Sequence, residues 1–481
     1  MCGIAIVVNG THEEVMKMGH ALKHRGKFQS DVKIDNIHAY FSWLPITDRS
    51  AGRQPFWHGK YALWLNGFIS NWKELAKKYH IEMQTNCDTE FLVKFIAAGG
   101  YDYLHELNGF FSVVYYDGKS LEYFTDRYGI KQLYGYCDGG KTYIASEVKS
   151  LLAVLPGIKL DERGVEDWRY SLGVMNEHTI YKGVFRIPSL KFKRFDKLSV
   201  TQIDYEQAKD KLRELFWKSI ERNKVDGLAD GVFLSGGVDS GLLAKALNPD
   251  FCFSMDYQDV NFSEGENIKL NSAGIHYSMI CNRAMFEKYK HETMEALDDL
   301  KAGSCYTNFA LTELASKFCT VLYSGAGGDE VFNGYVHRYS KPIEEVIRRT
   351  SAQPCPKGSY AEIQGPSTPL RSAQDDKPIS LTHKEYDWKY LKGILVVEDR
   401  MSGYHTMETR YPFLDNDLVD FALSLPDEYL NDKRILKDIS GLDPKVLSGK
   451  KRGFSNPYCT NEEWIEFTLQ NLPTYGNKTT P

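Results

Sequence analysis

No stretch of this chain reaches the ~18 apolar residues of a membrane-spanning helix, and the apolar run at residues 3–8 is too short for a secretory signal core. Positive charge is not in excess. Lys and Arg number 59 against 64 Asp and Glu, a formal charge of −5, which argues against broad nucleic-acid or anionic-membrane binding. Paired cysteines are missing too. The nine cysteines (Cys2, Cys87, Cys137, Cys252, Cys281, Cys305, Cys319, Cys355 and Cys459) are odd in number, scattered and without a CxxC spacing. That pattern excludes a disulfide framework or zinc site and points to a reducing, cytoplasmic compartment. There is no internal repeat. What remains is ordinary globular composition, 42% hydrophobic and 26% charged, over 481 residues, enough for two or three domains.

The organisation divides near residue 200. The first part holds short β-rich runs closed by Gly or Asp turns, at 4–8, 61–65, 111–116 and 143–145, with helical patterns at 13–24 and 89–98. Stacked sheets with helices outside are expected there. From Tyr205 the period becomes helical through Asn223, and strand–turn–helix units follow, as in a parallel α/β sheet. Residues 351–380, rich in Pro, Ser, Gly, Gln and Asp, read as a mobile loop or partly disordered insert, and the tail from Leu472 has the same character.

Two motifs carry chemistry. Cys2 becomes the first residue once the initiator Met is removed, so thiol and α-amine then share one residue. The amine, with an ordinary pKa near 8, is partly free base at neutral pH and can take the thiol proton. The second motif runs Gly231-Val232-Phe233-Leu234-Ser235-Gly236-Gly237-Val238-Asp239-Ser240. An apolar strand feeds a Ser-Gly-Gly turn that opens into a helix. Two glycines let backbone approach an anion, and the free N–H groups of the helix start point toward it. Ser235 and Ser240 can donate to phosphate oxygens, and Asp239 suits a hard cation. No Lys follows the glycines, so this is not the GxxxxGK[ST] loop.

The Ser235–Gly236–Gly237–Val238–Asp239–Ser240 segment resembles the pyrophosphate loop of enzymes that split ATP into AMP and pyrophosphate. Joined to Cys2-Gly3-Ile4, it resembles the glutamine-hydrolysing asparagine synthetase family. The likeness extends through His24-Arg25-Gly26, Leu65-Asn66-Gly67, Cys87-Asp88-Thr89-Glu90, the DRYGIKQLY segment from Asp126, and Ala145-Ser146-Glu147-Val148-Lys149. In the second half it continues through the SGAGGDEVFNGY segment from Ser324 to Tyr335, the ETRYPFLD segment from Glu408 to Asp415, and Lys450-Lys451-Arg452-Gly453-Phe454. The family implies an α/β chain in two domains. Residues 1–200 would form a four-layer αββα Ntn-type glutaminase, a class II glutamine amidotransferase. Residues 201–481 would form a parallel-sheet ATP-pyrophosphatase.

The resemblance also implies roles. Cys2 would attack glutamine's amide, Asn66 and Gly67 would form the oxyanion hole and glutamine site, and Asp88 would hold the α-amine. The ATP site would comprise Leu234, Ser235, Gly236, Gly237, Asp239, Ser240, Ser254, Met255, Ser324 and Gly325. Asp239 and Asp329 would hold Mg²⁺, and Lys451 would contact phosphate. Arg410 would clamp the acceptor carboxylate, with a structural ion pair as its alternative. ATP and Mg²⁺ are the expected cofactors, and ammonia would cross a sealed passage between domains. Partners are small molecules, with neither nucleic acid nor membrane, and the oligomeric state is open between monomer and homodimer. Two positions depart from the family. Trp43 stands where relatives carry the Arg that binds glutamine's carboxylate, with Arg49 a candidate replacement. Ala326 replaces an acidic residue at the acceptor site, with Glu330 a candidate substitute. Three functions follow: amidation of aspartate through an acyl-AMP, the same chemistry on another carboxylate, or a non-catalytic homologue.

Overall fold

The structure is a computed structural model that describes residues 1–50, 52–162, 164–165, 168, 179–189, 202–259, 263–298, 305–343, 346, 382–449 and 458–475. The N-terminal half contains two antiparallel sheets. One has the order β10-β8-β9-β1-β3-β2, built from Phe185–Arg186, Tyr134–Asp138, Lys141–Ala145, Gly3–Val8, Ile37–Trp43 and Phe28–Ile34. The other has the order β4-β5-β6-β7, from Phe56–His58, Tyr61–Ile69, Gly109–Tyr116 and Leu121–Thr125.

Alternation along the strands sets the layers, because successive side chains point to opposite faces. Ile4 and Ile6 of β1 and Ile37, Ala39 and Phe41 of β3 pack with Ala62 and Trp64 of β5 and Val114 of β6. Their neighbours Ala5 and Val7 turn the other way, onto Val15, Met18 and Leu22 in and after the helix His12–His20. On the far side, Leu63, Leu65 and Ile69 of β5 meet Phe91, Leu92 and Phe95 of the helix Asp88–Ala97. Helix, sheet, sheet, helix is the four-layer αββα arrangement expected.

The first helix is shorter than its periodicity suggests. A capping box at Thr11 and Glu14 starts it, and it stops at His20, with a separate 3-10 turn at Lys23–Arg25. That turn aims Arg25 inward. At the start of the tail, residues 472–475 still belong to the helix Asn461–Tyr475, and residues 476–481 lie outside the described residues. The insert at 351–380 and the boundary at 200 lie outside the described residues.

The C-terminal half is built on a five-stranded parallel sheet in the order β13-β12-β11-β14-β15. The strands are Ile275–Cys281, Phe251–Tyr257, Asp230–Phe233, Val321–Tyr323 and Glu408–Arg410. The helix Tyr205–Asn223, capped by Asp204, precedes them, as its sequence period predicts. From β11 the chain runs outward to β12 and β13, then returns to β14 on the opposite side. The carboxyl ends of β11 and β14 therefore flank the reversal in strand order, the usual place for a ligand in such sheets. Among the described residues no helix is long and apolar enough to cross a membrane.

Candidate active sites

The N-terminal site gathers around Cys2, just before β1. Its backbone N–H donates to Asn66 Oδ1 at 3.1 Å, and its carbonyl accepts from Arg25 Nε at 2.7 Å. Cys2 is thereby fixed by its main chain, and its thiol meets the Leu44 backbone. Asn66 Nδ2 is turned toward Ser112 Oγ at 3.4 Å. One amide thus offers oxygen to the residue 2 nitrogen and N–H groups to the opposite side. Gly67 has φ +122, and a Cβ there would lie 1.9 Å from the Phe110 carbonyl oxygen, so only glycine fits between β5 and β6.

Electrostatics at this site are governed by burial. Burial raises the pKa of the Cys2 thiol and lowers that of the Met1 α-amine to about 5. Asp88 opens its helix and accepts the Ile69 N–H at 3.0 Å. Burial pushes its carboxyl up to about 6, opposed by that backbone bond and by Arg410.

The side where glutamine's carboxylate is expected is aromatic. Trp43 lies 5.3 Å from the Phe28 ring and stacks on Phe41 at 6.4 Å. Arg49 does not turn to that side, because its Nη2 donates to the Gly227 carbonyl in the other half of the chain. Arg53, later on the same loop, is exposed and forms no hydrogen bond or ion pair among the described residues. Its neighbour Gln54 bonds Leu65 and Thr89, which flank Asn66 and Asp88 in sequence.

The second site lies at the carboxyl ends of β11 and β14. In the 235–240 loop, Ser235 Oγ and Ser240 Oγ are 2.8 Å apart, and Gly237 N–H donates to Ser235 Oγ at 3.2 Å. Gly236 N–H donates to Glu264 Oε2 at 3.2 Å. These N–H groups lie in the turn between β11 and the helix Val238–Leu247, where they donate to a carboxylate and a hydroxyl. The adjoining loop packs closely. A Cβ on Gly325 would lie 3.1 Å from Asp239 Cβ, and one on Gly328 would lie 2.5 Å from Asp239 Cγ. Leu234 is buried and bonded to the Phe253 carbonyl at 2.8 Å. At the end of β12, Ser254 Oγ is 2.7 Å from His276 Nε2, and Met255 is half-buried. Ser324 Oγ donates to Glu398 Oε1 at 3.0 Å.

Asp239 and Asp329 are brought together, and sequence reasoning missed the group between them. Lys433 Nζ contacts Asp329 Oδ1 at 2.7 Å and also Asp239 Oδ2. Lys433 is buried and, like Asp432, has a left-handed backbone, with φ 57 and 55. For residues other than glycine that conformation is costly and persists only where surroundings impose it. Gly334 makes room: a Cβ there would lie 2.1 Å from Asp329 Oδ1 and 2.5 Å from Lys433 Cε. No residue type or spacing around position 433 marks it in the sequence.

Arg410 and Lys451 stand apart from these groupings. Arg410 is buried, with Nε on Glu408 at 3.0 Å, Nη1 on the Asn223 carbonyl at 2.8 Å, and its guanidinium 3.8 Å from the Phe68 ring centroid. That is the structural pairing, and it joins the two halves. Glu330 accepts from Tyr335 Oη at 2.7 Å, and burial raises its carboxyl to about 7. Lys451 lies outside the described residues.

A line of buried charge runs from the residues around Cys2 into the C-terminal half. Arg25 Nη1 meets Glu147 at 2.5 Å, and its Nη2 meets Asp399 of the long helix His383–Tyr404 at 3.2 Å. Lys131 reaches the same Asp399 at 3.0 Å.

Comparison with known proteins gives two family matches, asparagine synthase over residues 211–474 and the glutamine amidotransferase domain over residues 1–206. Among relatives, asparagine synthetase (glutamine-hydrolyzing) 1 of Bacillus subtilis is 25% identical, covering 98% of this chain and 90% of the relative. The asparagine synthetase (glutamine-hydrolyzing) of Rattus norvegicus is also 25% identical, covering 93% and 80%.

Proposed function

The chain belongs to the asparagine synthase family, and on that footing we infer that it is an ATP-dependent ligase making asparagine from aspartate, with glutamine as nitrogen donor. The observation that carries this reading is the meeting of the 235–240 loop with Asp329 and Lys433, in a chain whose other half presents Cys2 against Asn66. We assign the glutaminase to residues 1–200 and the synthetase to 201–481.

In the glutaminase, the free α-amine of a mature Cys2 takes the thiol proton, and the thiolate attacks the amide carbon of glutamine. Burial raises the thiol pKa, so a base on the same residue matters. Asn66 Nδ2 and Gly67 N–H donate to the oxygen as it gains charge, and Asn66 Oδ1 steadies the amine. Asp88 pairs with the substrate ammonium. Water then releases glutamate.

In the synthetase, the carboxylate of aspartate attacks the α-phosphorus of ATP, giving an acyl-adenylate and pyrophosphate. The N–H groups of Gly236 and Gly237 and the hydroxyls of Ser235 and Ser240 hold the departing pyrophosphate once Glu264 has yielded its place. Asp239 and Asp329 are suited to Mg²⁺: both are hard oxygen ligands, and the buried Asp239 Oδ1 has no hydrogen-bond partner among the described residues. That ion would supply charge neutralisation at the phosphates. Two carboxylates completed by phosphate oxygens are the usual setting for Mg²⁺, and the described residues offer no cluster of three His, Cys, Asp or Glu. Lys433 then leaves the two aspartates for the phosphates.

The test is stoichiometry. With ATP, Mg²⁺, glutamine and aspartate, glutamate, pyrophosphate, AMP and asparagine should form one for one. ADP and phosphate as products would refute adenylation. Ala326 favours a second reading, the same chemistry on a larger carboxylate, because a half-buried methyl replaces a charge at the acceptor side. A panel of carboxylates, scored by pyrophosphate release, distinguishes the two.

A further inference from the structure

The register of the first sheet places an aromatic row beside the nucleophile. It pairs Gly3 of β1 with Ser42 of β3, which sets Trp43 alongside Cys2, and it pairs Trp43 with Phe28 of β2. Directly opposed residues of antiparallel strands share a face, so Cys2, Trp43 and Phe28 form one row across neighbouring strands about 4.8 Å apart. The two ring centroids are 5.3 Å apart, and Phe28 is 51% exposed. An aromatic wall therefore starts at Cys2 and runs out to solvent.

That wall is poorly equipped to hold a carboxylate. A Cβ on Gly52 would lie 3.1 Å from both Cδ1 and Nε1 of Trp43, so the loop packs over the indole edge that carries its N–H. Arg49 is engaged by Gly227, and Arg25 by the Cys2 carbonyl, Glu147 and Asp399. A bare carboxylate set against the rings would lose water without gaining paired donors. An amide there carries no charge, and its substituent can extend along Phe28 to solvent. The rest of glutamine is still served, by Cys2 and Asn66 at the side-chain amide and by Asp88, held on the Ile69 N–H, at the α-amine.

We propose that the glutaminase half takes glutaminyl donors whose α-carboxyl is substituted, as an α-amide or as the peptide bond of an N-terminal glutamine, with Trp43 as the specificity-determining residue. This rests on the glutaminase reading above. The Cys2 thiolate adds to the side-chain amide carbon and forms the C–S bond. The C–N bond breaks, and ammonia leaves with that electron pair and the proton held by the Cys2 amine. Water then adds to the thioester, the C–S bond breaks, and a proton from that water returns to sulfur. The α-substituent takes no part. The product is glutamate still substituted at its α-carboxyl, and the ammonia delivered is the same.

The experiment compares donors in the full-length protein: glutamine, glutamine α-amide, glutaminylglycine and N-acetylglutamine. Chromatography of the side-chain acid that each yields gives kcat/KM. In the wild type, the α-amide and glutaminylglycine should reach at least about one third of the value for glutamine, since a site without carboxylate donors cannot reject an analogue lacking the charge. N-acetylglutamine, which has lost the ammonium that pairs with Asp88, should fall at least about tenfold below glutamine. Trp43→Arg should shift the ratio of glutamine to its α-amide toward glutamine by about ten- to a hundredfold. Each figure is a ratio of two donors in one sample, so unfolded protein cancels, and the wild-type panel stands without the variant. A wild-type preference for glutamine above about threefold would overturn the proposal, since a cation such as the exposed Arg53 would then hold the carboxylate. An unchanged ratio in Trp43→Arg would overturn it as well, as would N-acetylglutamine used as readily as glutamine. No side-chain acid from any donor, glutamine included, would instead overturn the glutaminase reading, and this inference with it.

Discussion

Replacing Lys433 by Met removes a positive charge that bridges Asp239 and Asp329 and keeps most of the side-chain volume. The three side chains are 8%, 13% and 10% exposed, so the carboxylates would be left almost entirely out of water. Breaking a buried pair by removing one partner costs ~3–5 kcal/mol, and slight exposure places this case near ~3 kcal/mol. For a unit of 150–250 residues each kcal/mol moves the melting point by ~2–4 °C, so the C-terminal transition should fall by about 6–12 °C in EDTA. A cation that binds the folded carboxylates reverses this. At a hundred times its Kd it restores ~2.7 kcal/mol, nearly the whole deficit. Thermal melts of wild type and Lys433→Met, each with EDTA and with saturating Mg²⁺, make the comparison. Mg²⁺ should raise the variant's melting point far more than the wild type's, since in the wild type the ion must displace the ammonium. If Mg²⁺ leaves the variant as unstable as EDTA does, Asp239 and Asp329 do not form a metal site and the lysine is purely structural.

Cys2→Ala should abolish glutamine-dependent asparagine synthesis and leave ammonium-dependent synthesis within about twofold, and equal loss with both donors would refute separate sites. The Asp88 carboxyl titrates at about 6 and pairs with substrate ammonium only when ionised. Protonation therefore removes the partner, and KM for glutamine should rise about tenfold per pH unit below 6, with ammonium-dependent turnover as the control. Trp43 offers no bidentate partner for glutamine's carboxylate, and loss of a charged hydrogen bond costs ~1.5–3 kcal/mol, so glutamine should bind about ten- to a hundredfold more weakly than with an Arg there. Trp43→Arg should lower KM for glutamine, and Arg53→Ala should raise it if that free guanidinium supplies the contact. Asp239→Asn should slow synthesis with either nitrogen donor, measured as pyrophosphate release, and full activity would remove it from the phosphate site.

Much of this was legible in the sequence because the signals were local. Short, β-rich apolar runs at residues 4–8 and 61–65 mark strands buried on both faces, and the observed layers follow from which face each apolar residue takes. The Ser-Gly-Gly turn at 235–237 is self-sufficient in the same way, since strand, turn and helix start are consecutive. Lys433 was not legible. It acquires meaning only when β11 and β14 become neighbours and a left-handed backbone at 432–433 delivers its ammonium between them. Arg49 misled for the opposite reason: proximity in sequence to Trp43 suggested a shared pocket, but its guanidinium is taken up by Gly227. Arg410 left a carboxylate clamp and a structural ion pair both open; it pairs with Glu408 and stacks on Phe68 of the other half, a contact across more than three hundred residues that no window along the chain contains.

Arg25 distributes one guanidinium over three partners drawn from both halves: the Cys2 carbonyl, Glu147 and Asp399. A fragment cut near residue 200 would carry Arg25 and Lys131 away without Asp399, leaving two formerly buried cations at a raw face with only Glu147 opposite Arg25. The group that holds the main chain of the nucleophile would then be free to reorient toward solvent. Severing the chain would thus unsettle the glutamine site from a distance, although every residue of that site stayed on the fragment. An excised glutaminase should be expected to lose hydrolytic power that the uncut protein possesses, and restoring it would call for the helix bearing Asp399 rather than for any change around Cys2.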